Sequence, residues 1–153
     1  MTSHEKITVR SLKPEDLENV VDIDASITGR SRRFFFEKRL RAALNDPRGF
    51  IPLAAENSDG RLIGFTIARL QSGEFGGDHR IAELDVIGVD PDAQYGGAGR
   101  ALLDGIGERL KKMNIGELRT QVDWQNQDLL HFFAAAGFDL AFEQVLEHTI
   151  SGR

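Results

Sequence analysis

The chain has no cysteine, one tryptophan, one tyrosine and four prolines among its 153 residues. Without cysteine there is no disulfide, no thiol nucleophile and no cysteine-based zinc site. No apolar run is long enough to span a bilayer. The opening Met1-Thr2-Ser3-His4-Glu5-Lys6 lacks an apolar signal region, so a cytoplasmic location is expected. Positive charge is in deficit: the net charge is −5, which disfavours duplex nucleic acid and suits a cationic substrate. His4, His79, His131 and His148 are scattered without metal-ligand spacing, so no metal is expected. What remains is ordinary for a globular protein, 41% apolar and 28% charged, at a length that suits a single domain over 1–153.

The informative stretch is Gln94-Tyr95-Gly96-Gly97-Ala98-Gly99-Arg100-Ala101-Leu102-Leu103. A β-branched run, Ile81 to Val89, precedes it and closes on Asp90-Pro91. Leu102, Leu103, Ile106, Leu110 and Met113 follow at helical spacing. The pattern reads as strand, glycine turn, helix. Such a turn aims backbone N–H groups one way, and the helix start adds free donors and partial positive charge, a seat for phosphate. A dinucleotide fingerprint fails, because Leu102 stands where its third glycine belongs and Arg119 lies near the place of its acid. A P-loop fails too, because Gly99-Arg100-Ala101 has neither the lysine nor the hydroxyl. Gln-x-x-Gly-x-Gly, as Gln94, Gly97 and Gly99, resembles the acetyl-CoA loop of the GNAT N-acetyltransferase superfamily.

In chain order, residues 6–13 alternate as a first strand. Pro14-Glu15-Asp16 starts a helix that Thr28-Gly29 breaks. Ser31 is expected to cap a second helix, Arg32 to about Asn45. Strands follow over roughly 50–57 and 61–72, joined at Ser58-Asp59-Gly60, then a glycine-rich loop from Gly73 to Asp78 and a central strand over 80–89. Beyond the long helix come a strand from Leu118 to Trp124, a helix from Asn126 or Gln127 to Ala136 closed by Gly137, and a last strand from Leu140 to Ile150. The order β-α-α-β-β-β-α-β-α-β implies an α/β (α+β) fold, a mixed twisted sheet flanked by helices.

That order is similar to the GNAT plan across essentially the whole chain. A second stretch, Asn126-x-x-Leu129-x-x-Phe132-Phe133-x-x-x-Gly137-Phe138, resembles the superfamily's Asn-x-x-Ala-x-x-Phe-Tyr-x-x-x-Gly-Phe. The resemblance implies roles. Backbone groups of Ile87, Gly88 and Val89 would pair with the pantetheine arm. Gln94, Tyr95, Gly96, Gly97, Ala98 and Gly99, with Arg100, would hold the pyrophosphate. Asn126 would bond the pantetheine or cap its helix. Phe133 takes the place of the tyrosine the family commonly uses as general acid, which leaves the thiolate's proton donor open. The family includes dimers, and a homodimer is left open.

The implied chemistry is direct attack of a primary amine on the thioester of acetyl-CoA. On the order of one lysine side chain in a thousand is neutral at pH 7, so a base is needed. Glu83 lies eleven residues before Gln94. That spacing resembles the protein-lysine (histone-type) branch, where a glutamate serves as base. Asp85 points to the same strand face, and two carboxylates there would raise each other's pKa. A protein lysine is therefore the favoured acceptor. The alternatives are a small-molecule amine and, because of Phe133, a non-catalytic CoA-binding sensor. Arg30, Arg32, Arg33, Lys38, Arg39 and Arg41 make the second helix basic, as a solvated face or a dock for an acidic protein. His131 is expected at the surface, and Trp124 is expected in the core.

Overall fold

The computed structural model describes residues 6–71, 81–93 and 96–150. Its elements are β1 (Thr8–Ser11), a 3-10 turn (Pro14–Asp16), α1 (Leu17–Thr28), α2 (Arg33–Asn45), β2 (Phe50–Glu56), β3 (Leu62–Gln71) and β4 (Ile81–Val89). A second 3-10 turn (Pro91–Ala93), α3 (Ala98–Lys112), β5 (Glu117–Arg119) and α4 (Gln127–Ala135) complete them. Contacts group the chain into two compact units, Met1–Gln121 with the sheet and Val122–Arg153 with α4. Among the described residues no helix is long and apolar enough to cross a membrane.

The sheet runs β1-β2-β3-β4-β5. Its first three pairings are antiparallel, and β4 pairs β5 in parallel. Successive strand residues face opposite sides, and the two sides bury different helices. Ala54, Phe65 and Ile67 join Val20, Val21, Ile23, Phe36 and Leu40 of α1 and α2 in one core. Phe36 meets the Phe65 ring edge-on, with centroids 5.5 Å apart, a favoured arrangement for aromatic pairs. On the other side, Leu53 and Val9 lie against Gly105 of α3, and Leu102 and Ile106 are fully buried.

Several sequence expectations are corrected. Ser31 does not cap α2: the capping position is Arg32, with no side-chain cap bond, since a guanidinium has donors only; it donates instead to both oxygens of Asp24 (2.8 and 2.6 Å). The strand from Leu118 to Trp124 shortens to β5, Glu117–Arg119. Its pairing with β4 ends at Glu83↔Arg119, and the Thr120 hydroxyl takes the next acceptor, the Leu84 carbonyl, at 3.1 Å. Trp124 is 74% exposed and outside the core. No strand forms from Leu140 to Ile150. Alternation needs a neighbouring strand to bond with, and among the described residues none pairs with this segment, so Phe142 and Leu146 stay exposed.

Candidate active site

The end of β4 is built by three local devices. Asp90 stops the strand: its amide bonds the Ile63 carbonyl (2.8 Å), its Oδ1 accepts from the Asp92 amide, and its Oδ2 accepts from Arg61. Pro91 then opens the 3-10 turn. Gly97 sits at φ +91° as the capping residue of α3, a left-handed conformation that glycine adopts without steric cost. The first helical bond runs from Ala101 N–H to the Gly97 carbonyl (2.9 Å), so the amides of Ala98 and Gly99 precede the ladder at the positive end of the helix. Arg100 leans along α3 toward Asp104 (3.6 Å). Gln94, Tyr95 and the loop from Gly73 to Asp78 lie outside the described residues.

β4 and β5 part early. Their register covers only Ile81↔Glu117, Ala82↔Leu118 and Glu83↔Arg119. Past Glu83, the edge of β4 carrying Ile87, Gly88 and Val89 has no strand on that side among the described residues. An unpaired strand edge offers N–H and C=O groups to an extended ligand, as the pantetheine pairing expected of these three residues requires. Gly88 is also required by packing: a Cβ there would lie 2.8 Å from the Phe65 ring.

β4 contains a bulge that the alternating pattern did not signal. Ile67 pairs with Val86 and Ala68 with Leu84, so Asp85 is an extra residue. Bulges re-aim side chains, and here Glu83, Asp85 and Val86 all serve the α1/α2 side. Glu83 and Asp85 share a face as expected, because both meet Arg69. The surroundings differ from expectation, since the two acids do not face each other alone. Arg69 Nη2 donates to Glu83 Oε2 (2.8 Å), and Arg39 Nη1 of α2 donates to Asp85 Oδ2 (3.1 Å). Arg69 Nε lies 3.7 Å from that same Asp85 oxygen, buried and without a hydrogen bond. The mutual repulsion expected of the pair is offset by two guanidiniums. The Glu83 side chain is 29% exposed and that of Asp85 13%, so Glu83 is the more accessible acid.

Sequence reading missed Arg69, and it placed Arg39 on a solvated or docking face of α2. Neither had a local signal, although Arg69 does stand in the strand next to β4. Half of the basic residues named for α2 are paired internally: Arg32 with Asp24, Arg33 with Glu18 and Glu37, and Arg39 with Asp85. The Phe35 ring lies between Arg32 and Arg39, each 5.2 Å from its centroid. In the second unit, Asn126 Oδ1 accepts from the Leu129 amide (3.2 Å) and caps α4. Phe133 is buried with Phe132 and Phe138 rings beside it (5.3 and 4.9 Å). His131 is exposed, as expected.

Comparison with known proteins agrees with this geometry. The model of the acetyltransferase (GNAT) family matches residues 17–138. A mycothiol acetyltransferase of Saccharomonospora viridis is 32% identical over 146 residues, covering 88% of this chain and 46% of the relative. The chain therefore spans about half the length of that curated relative, and 31% of another from Kocuria rhizophila. An aminoglycoside 6'-N-acetyltransferase of Acinetobacter baumannii superposes with a TM-score of 0.79 at 15% identity, covering 96% of this chain and all of its own. An aminoglycoside N-acetyltransferase solved in complex with CoA gives 0.80 at 14% identity, with 99% of each chain covered. The early parting of β4 from β5, the glycine-led start of α3 and the family match over both units lead to one conclusion: the chain belongs to the GNAT acetyltransferase family, whose cosubstrate is acetyl-CoA.

Proposed function

We propose that this chain is one N-acetyltransferase domain over 1–153 that moves the acetyl group of acetyl-CoA directly to the primary amine of a small molecule. The observation that carries the reading is the open edge of β4 beside Glu83 and ahead of α3. In this reading Ile87, Gly88 and Val89 pair with the pantetheine arm, and Gly96, Gly97, Ala98 and Gly99 seat the pyrophosphate with Gln94, Tyr95 and Arg100. The cosubstrate supplies an acetyl group activated as a thioester. Glu83 takes the proton that the amine sheds as the C–N bond forms, and the departing thiolate is protonated from water, since Phe133 has no hydroxyl. Asp85, the less exposed acid, anchors Arg39 and Arg69 and is a positioning group. Asn126 caps α4, and Phe133 packs.

A small acceptor takes the place of the protein lysine expected from the Glu83 spacing, for two reasons. The relatives are named as mycothiol and aminoglycoside acetyltransferases. Arg32, Arg33 and Arg39 at α2 are engaged within the fold and leave less basic surface to dock an acidic protein. The test incubates the protein with acetyl-CoA and a thiol-reactive dye, with amino sugars, simple alkylamines or a lysine-containing peptide. The expected result is thiol release that depends on a small amine and an acetylated product by mass spectrometry. Release with the peptide alone would return the acceptor to protein lysine. Tight acetyl-CoA binding without release for any amine would make the chain a CoA-binding sensor.

A further inference from the structure

Two carboxylates on one strand face pose a chemical problem for an amine acceptor. They attract the ammonium form and stabilise it, and that form has no lone pair with which to attack. Among the described residues, four charged groups meet at this place in the fold. Glu83 is faced by Arg69 from β3 at 2.8 Å, by Asp85 on its own strand and, through Asp85, by Arg39 from α2. From β5, its register partner Arg119 turns its Nε to Glu117 at 2.9 Å. Glu83, Asp85, Arg39 and Arg69 sum to zero charge. Arg69 lies between the acids, with Nη2 on Glu83 and a buried, unbonded Nε–H beside Asp85 Oδ2. It therefore holds Glu83 by a single bond, and among the described residues no hydrogen bond reaches the carboxylate's other oxygen.

We propose that Arg69 is a positioning residue for acetyl transfer: it orients Glu83 through Nη2, and its charge, with that of Arg39, cancels the ammonium-trapping field of the two acids. This deepens the reading in which Glu83 receives the amine's proton, and rests on it. The acceptor class follows. It is a monoamine that reaches the site largely uncharged, not a polycation that needs a net acidic pocket. The ammonium proton is lost to solvent before attack. The second proton, released as the C–N bond forms and the C–S bond breaks, passes to Glu83.

The experiment compares the parent, Arg69→Met, Arg69→Lys and Glu83→Gln with acetyl-CoA and two matched amines. Benzylamine is a cation near neutral pH, and aniline is already neutral. At pH 7, Arg69→Met is expected to lower kcat with benzylamine by about tenfold more than with aniline, the effect of about one unit in the acceptor's own titration. KM for benzylamine should stay level or fall, because the cluster left behind is net negative. The rising limb of the benzylamine pH profile should move to higher pH, and Arg69→Lys, which keeps the charge, should bring it back. Circular dichroism confirms the fold of each variant. Equal losses with both amines at every pH would overturn the proposal and leave Arg69 a structural partner only. Parental turnover in Glu83→Gln would instead overturn the base reading beneath it.

Discussion

Two arginine–carboxylate clusters sit on this sheet, and they are built differently. Near its outer edge, Arg10 of β1 donates to both oxygens of buried Asp16 (2.8 and 3.0 Å) and to Glu56 (2.9 Å), while the Lys13 amide adds a 2.7 Å bond to Asp16. Every contact is short, and the Asp16 carboxylate is bonded at both oxygens. On β4, Glu83 receives one bond from Arg69, Asp85 receives one from Arg39, and the buried Arg69 Nε–H stands 3.7 Å from Asp85 Oδ2. An acid that holds a fold together is saturated with donors. An acid that must accept a proton keeps an oxygen open to its substrate. The physics of pairing is the same in both places; the number of donors on each carboxylate separates the clusters, and within the β4 cluster the greater exposure of Glu83 separates it from Asp85.

The strongest way to break this contrast is Glu83→Gln. It keeps shape and hydrogen bonding but cannot take a proton, so turnover at pH 7 should fall by about 10²–10⁴-fold, with acetyl-CoA affinity by calorimetry unchanged. Asp85→Asn is the control. If it abolishes turnover while Glu83→Gln stays near the parent, the two acids exchange roles.

Gly99→Glu leaves both clusters intact and attacks the cosubstrate seat instead. A carboxylate in the first turn of α3 opposes a phosphate there, and acetyl-CoA affinity should drop by about a hundredfold, roughly 2.7 kcal/mol. An unchanged affinity in a folded variant would remove the loop assignment.

Asp16→Asn sharpens the contrast from the structural side. It should cost about 1–3 kcal/mol of stability in denaturant melts, the range for breaking a buried charged bond, while turnover of the folded protein stays at the parental level. Burial pushes the Asp16 carboxyl up, but the Arg10 bonds and charge, with the Lys13 amide, outweigh it and hold it below the usual range. Its contribution is therefore complete above the unfolded-state value and is lost as pH falls through the lower folded one. The parent should lose stability over that acid window, and Asp16→Asn should lose less.

The smallest effect belongs to Phe133→Leu, which trims a buried ring among Phe132 and Phe138. It should cost about 1–2 kcal/mol with a modest loss of turnover. Total loss of turnover with acetyl-CoA binding preserved would show that this ring does more than pack.

Which parts were legible in the sequence follows from how local their causes are. The α3 start was readable because strand, glycines and helical periodicity lie in one short stretch. The shared face of Glu83 and Asp85 was readable from strand alternation. Their partners were not, because Arg69 and Arg39 arrive from 14 and 46 residues away. The bulge at Asp85 depends on how β3 registers against β4 and leaves no mark in the alternation of Ile81 to Val89. Alternation from Leu140 to Ile150 failed in the opposite way, since the pattern is present and among the described residues no strand pairs with it. Trp124 failed because β5 ends before it, where Thr120 exchanges a backbone bond for a side-chain one.

The central claim is that Glu83 takes the proton of the acceptor amine, and the pH dependence of turnover in Glu83→Gln tests it most directly. Using the best small amine from the thiol-release assay, the parent should rise with pH as the acceptor becomes neutral and then level off. The variant should start far lower and keep climbing past that point, because with no carboxylate to take the second proton the reaction waits on hydroxide. A Glu83→Gln profile that keeps the parental plateau and height would contradict the account.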